Sequence, residues 1–117
     1  MSQNLLLDMV LSLDGMRDLV KQDYVYIHPD IPIKKLNNAI SSYANSDIKP
    51  EDVMILLDDS VFGGAKDGVL LTKDFLFAKS SSNKPVFFKI DNIKTIDSSG
   101  LVYSTLNING NKVFSFN

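Results

Sequence analysis

From Val53 onward the apolar runs are short, and the connections between them are too short to carry helical crossovers. No other feature restricts the fold as much. The runs are Val53–Leu57, Val69–Thr72, Phe75–Lys79, Val86–Ile90, Leu101–Asn107 and Lys112–Phe116. Turn-forming residues bound them at Gly63-Gly64, Lys73-Asp74, Ser80–Lys84, Asp97–Gly100 and Asn109-Gly110. Runs of this composition and spacing read as strands. Parallel neighbours need a crossover of about a dozen residues or more, so the strands are expected to be antiparallel. Asn109-Gly110 between two β-prone runs is a strong short-range hairpin signal.

Upstream of Val53 the period is helical. Leu6, Met9, Val10, Leu13, Met16 and Val20 recur with the spacing of an amphipathic stripe, which predicts a helix over most of Leu5–Val20. Tyr24–Ile27 is β-prone but short. Pro32 suits the first turn of a second helix, and Asp30 is placed to cap it. That helix is expected over Ile33–Ala44, with Ile33, Leu36, Ala39, Ile40 and Tyr43 on its apolar face. The expected fold is therefore α+β: two N-terminal amphipathic helices, then an antiparallel sheet of five or six strands, PH-like or a partial barrel. The chain reads as one domain over residues 1–117, with a helical part at 1–48 and the sheet at 53–117.

Composition narrows the chemistry. With no Cys, the chain has no disulfide, no thiolate nucleophile and no cysteine metal site. A net charge of -2 gives no global attraction to nucleic acid or anionic membrane. Met1–Asn4 lacks the positive region of a secretory signal, and Asp8 interrupts the apolar Leu5–Leu13 stretch, so a cytoplasmic location is expected. His28, the single histidine, cannot build a multi-histidine metal site and reads as a loop residue. No cofactor is expected.

The stretch Leu56–Thr72 holds the most unusual local chemistry, a glycine-rich turn with both charge signs and Phe62. It is not a phosphate loop. Lys66 precedes the last glycine, no Ser or Thr follows it, and a strand rather than a helix comes next. The plainer reading has the glycines supplying positive φ and Lys66 and Asp67 as solvated turn residues. The functional reading makes Phe62, Gly63, Gly64, Lys66 and Asp67 a protein-contact site with Phe62 as its anchor. Asp58 and Asp59 lack the alternating oxygen spacing of a calcium loop, and as neighbours on a strand they point to opposite faces. They read as solvated charges at a strand end. Phe87 with Phe88 reads as core or sheet-face packing, and aromatics interleaved with lysines over Lys84–Lys94 are a weak nucleic-acid signal without a basic domain.

The segment Asp59–Thr72, followed by Asp74-Phe75-Leu76-Phe77 and by Val86–Ile96, resembles bacterial pleckstrin-homology-like domains over Val53–Phe116, about half the chain. The resemblance implies a bent antiparallel sheet and a binding or scaffold role. The family's lipid-binding positions do not carry over, because the early strands hold no matching basic cluster. The sequence thus leads to a non-catalytic protein-interaction or scaffold module with an unknown protein partner. One alternative binds phospholipid headgroups through Lys66, Lys73, Lys79 and Lys84. Another is a small enzyme using carboxylates at Asp58 and Asp59.

Overall fold

The structure, a computed structural model, describes residues 25–45, 47–58, 60, 64–80, 84–99 and 105–115. β1 (Val25–Ile27) leads into α1 (Ile33–Tyr43), and a 3-10 turn at Pro50–Asp52 opens β2 (Val53–Asp58). Then come β3 (Gly68–Thr72), β4 (Phe75–Lys79) and β5 (Val86–Lys89). After a second 3-10 turn at Ile90–Asn92 follow β6 (Ile96–Ser99), β7 (Thr105–Ile108) and β8 (Asn111–Ser115). β1 to β5 form one antiparallel sheet in that spatial order, and β6 to β8 form a second, also antiparallel.

Strand alternation gives the first sheet two apolar faces. Ile55, Leu57, Val69, Leu71, Leu76 and Ala78 pack with Ile90, Ile93, Leu106 and Ile108, so this face meets the second sheet. Val53, Leu56, Leu70 and Phe77 pack with Leu36, Ala39 and Tyr43, so the opposite face meets α1. The layers are helix, five-stranded sheet, three-stranded sheet. β2 and β3 lie in the middle and are covered on both sides, which explains why Ile55-Leu56-Leu57 and Val69-Leu70-Leu71 are continuously apolar instead of alternating. Each large side chain buried there contributes about 1.5–3 kcal/mol.

The expected fold class requires correction. Among the described residues there is one α-helix, not two, and the strands form two sheets, not one. The helix expected over Leu5–Val20 lies outside the described residues. The expected helical part also supplies a strand, because β1 pairs Val25 with Leu57 and Ile27 with Ile55. The single sheet breaks at Ile90–Asn92. There the Ile90 N–H donates to the Asp74 carbonyl at 2.9 Å, the chain turns off the β5 edge, and Ile90 and Ile93 enter the core between the sheets. Asp97–Gly100 was expected to be a turn, yet Asp97, Ser98 and Ser99 belong to β6 and pair with Asn107, Leu106 and Thr105. Cross-strand pairing here overrides the turn preference of Asp and Ser.

The ends of α1 also differ from expectation. Pro32 occupies the N-cap position, and no side chain caps the helix, so Asp30 does not perform that role. The first turn carries Lys34 and Lys35 and no acid, an unfavourable charge at the positive end of the helix. Ile33, expected on the apolar face, is 60% exposed. The hairpin signal holds: Asn109 and Gly110 have φ of 54 and 81 between β7 and β8. The Asn109 side chain also accepts from the Lys94 and Thr95 N–H groups at 2.7 and 3.1 Å and donates to the Asn92 carbonyl at 3.2 Å. One turn residue thereby ties the β7–β8 hairpin to the chain entering β6.

Candidate functional site

Two places flank α1 on its side of the five-stranded sheet. The first is the glycine-rich connection between β2 and β3. Asp58, at the end of β2, is 1% exposed, not solvated as its sequence position suggested. Its Oδ2 accepts from Lys35 Nζ at 2.6 Å. Its Oδ1 accepts from the Ser60 N–H at 2.9 Å and the Ser60 hydroxyl at 2.6 Å. The Ser60 Oγ in turn accepts from the Ala65 N–H at 2.9 Å. Burial works to raise the Asp58 pKa, but the hydrogen bonds from Lys35 and Ser60 outweigh it and hold the carboxyl below its usual range. Burial likewise works to lower the Lys35 pKa, and the Asp58 partnership outweighs it and holds the ammonium above its usual range. Lys35 Nζ also stands 5.6 Å from the Tyr26 ring centroid, so one side chain joins α1, β1 and β2.

Of the expected contact residues, Phe62 and Gly63 lie outside the described residues, as does Asp59. Gly64 has nothing within 4 Å of the place a β-carbon would take. The Lys66 side chain is exposed, while its carbonyl accepts from the Ser42 hydroxyl at 2.7 Å. Asp67 is half-buried and forms an ion pair with Lys79. Special backbone falls on Gly68, with φ of 146, and on Ala65, a buried non-glycine with φ of 59. Residues 64–67 are thus held by α1, by β4 and by the chain around Asp58. Sequence reasoning missed this clamp because Lys35 and Asp58 are far apart in the chain.

The second place is a groove of about 230 Å³ where α1 ends beside the β4–β5 hairpin, lined chiefly by Tyr43, Phe75, Phe77, Pro85, Val86 and Phe87. Phe75, Phe77 and Phe87 form a cluster with ring centroids 5.8, 6.5 and 6.2 Å apart. Phe77 and Phe87 are cross-strand partners, so both rings project on the helix side. α1 packs over β2, β3 and β4 and leaves the outer part of β5 uncovered. Phe87 therefore remains 63% exposed and Val86 40%. The signal in the sequence was Phe87-Phe88: adjacent strand residues face opposite ways, so only one of them can enter the core between the sheets. Phe88 packs there, and Phe87 is left on the other side.

Tyr43 stands between the two places. Its ring lines the groove, and its buried hydroxyl has no hydrogen-bond partner among the described residues. Burial, then the charges of Asp58 and Asp67, push its pKa far above the usual phenol range, so the group stays neutral.

Among the described residues no group of three or more His, Asp or Glu is placed to hold a metal ion. Neither the groove nor a polar cleft lined by Lys73, Asp74, Phe75, Lys89, Ile90 and Asp91 includes Asp58. Among the described residues no helix is long and apolar enough to cross a membrane. Compared with protein-family models, with curated proteins and with solved structures, the chain matches none.

Proposed function

We propose that the chain is a non-catalytic interaction module, working in the cytoplasm, whose contact surface is the aromatic groove at the β5 edge. One observation carries this reading: Phe87 and Val86 are exposed on an edge strand, beside a groove already lined by packed aromatic rings. A monomer gains nothing from an exposed phenylalanine there, whereas an incoming apolar side chain would bury it. The resemblance to pleckstrin-homology-like domains supports the same role, since it implies binding or scaffolding. The glycine-rich loop takes a supporting part, with Phe62 as a second contact.

The competing readings have less behind them. The lysines proposed for a lipid headgroup do not share one rim: Lys73 lies in the β3–β4 turn, while Lys79 lies at the opposite end of that hairpin and is paired with Asp67. The Asp58 carboxylate is engaged on both oxygens by Lys35 and Ser60, which suits a clamp better than a reacting group.

The test compares the full-length chain with Phe87→Ser in capture from extract of the native host, alongside melting curves of both. The expected result is a protein retained by the parent and reduced about tenfold or more by the variant, with an unchanged melting temperature. Equal capture by both would take the contact surface off the groove.

A further inference from the structure

The form of the groove and its charges say what kind of chain segment fits it. Among the described residues β5 has a neighbour, β4, on one side only. Its open stretch is bounded at both ends. Pro85 has no N–H to donate at one end, and at the other the 3-10 turn Ile90–Asn92 takes the chain off the sheet. The edge available for pairing is therefore Val86–Lys89. An added strand would place alternate side chains on the helix side, where the groove opens. A cavity of about 150 Å³ admits a benzene ring, so the groove of about 230 Å³ has room for one branched or aromatic side chain.

Charge settles the flanks. Lys84 precedes β5 and Lys89 ends it; both are exposed, and neither has an ion-pair partner among the described residues. Lys73 adds a third cation beside Lys89 in the polar cleft, where Asp74 and Asp91 also stand. An antiparallel pairing of two β5 strands about Phe87 would set Lys89 of each copy opposite Pro85 of the other, next to its Lys84. That gathers like charges and disfavours self-pairing, as edge lysines commonly do. An acidic partner turns the same lysines into attraction.

We infer that the groove receives a short extended peptide segment of another protein, which adds to β5 as a strand, seats one large apolar side chain among Tyr43, Phe75, Phe77 and Phe87, and carries acidic residues on both sides of that anchor. This rests on the groove being the contact surface.

The experiment pans a displayed library of random-sequence short peptides on the full-length chain, and maps the enriched peptides by amide chemical shifts. The inference expects an apolar anchor flanked by Asp or Glu, shifts centred on Val86–Lys89, and binding that weakens with salt. It further expects the double variant Lys84→Glu with Lys89→Glu to weaken those peptides by about tenfold or more and to enrich basic flanks instead. Enriched peptides that bind at the groove without acidic flanks, or as helices, would overturn the inference and leave the contact surface standing. Peptides that map elsewhere, or a library with nothing enriched, would overturn both. A stable dimer whose interface maps to β5 would give the edge to a second copy and defeat the peptide assignment.

Discussion

The two flanks of α1 meet the sheet in opposite ways. On the β2–β3 flank, Lys35 and Ser42, two helical turns apart, hold the Asp58 carboxylate and the Lys66 carbonyl. On the β5 flank, the helix ends before the sheet does, and aromatic rings are left uncovered. The first flank is polar and closed; the second is apolar and open. Unusual residues drew attention to the first, yet its charges are satisfied internally. Incomplete packing marks the second, and incomplete packing is what a partner can complete.

The largest effect separating the flanks should come from Asp58→Ala. It removes the carboxylate that the Lys35 ammonium and the Ser60 N–H and hydroxyl donate to in a largely buried place. Lys35 keeps 24% side-chain exposure, so water offsets part of the loss. The expected destabilisation is about 2–4 kcal/mol by urea unfolding. The carboxyl's lowered pKa also fixes a pH dependence. As pH falls, the unfolded chain takes up the proton first, at about 3.9, while the folded carboxyl still resists. The stability Asp58 contributes is therefore full above that value and drains as pH falls through the lower folded one. Asp58→Asn should flatten this part of the acid limb. A change below about 1 kcal/mol in Asp58→Ala would erase the contrast between a closed flank and an open one.

The next effect belongs to the loop's backbone. Gly68 begins β3 with φ of 146 while paired to Asp58 on one side and Lys79 on the other. Gly68→Val puts a β-branched side chain where only glycine is comfortable, at an expected cost of about 1–3 kcal/mol. A thermal melt within error of the parent would show that the ladder can relax there, and that the first flank is less fixed than its hydrogen bonds imply.

What the sequence made legible followed from local rules. The short runs beyond Val53 yielded β2 to β5, and Asn109-Gly110 marked the hairpin between β7 and β8, because strand alternation and turn geometry are written in neighbouring residues. The clamp was not legible, since Asp58 depends on Lys35 on a different element. The division into two sheets was equally hidden. It hangs on where the chain leaves the β5 edge at Ile90, which a run reading Val86–Ile90 does not reveal. Asp97-Ser98-Ser99 has turn composition, and its strand form in β6 comes from pairing with β7. The groove was not legible: Phe87 with Phe88 reads as core or sheet-face packing, and nothing local shows that α1 leaves Phe87 uncovered.

Tyr43 belongs to both flanks, and its hydroxyl sharpens the boundary between them. The ring lines the groove, while the buried oxygen lies in the field of Asp58 and Asp67 without a hydrogen-bond partner among the described residues. Tyr43→Phe keeps the ring and removes a desolvated polar group, so it should stabilise the fold by about 1 kcal/mol or less. The raised pKa gives the alkaline limb its sign. Above about 10 an unfolded tyrosine releases its proton while the folded Tyr43 cannot, so parent stability falls with rising pH. The variant should lose that share of the fall, read as the difference between two otherwise matched pH series. Peptides selected on the parent should bind the variant equally well, because the groove wall is unchanged. A destabilised variant would mean that the hydroxyl has a partner in solution and works for the closed flank. Lost peptide binding would mean that it reaches the ligand and works for the open one.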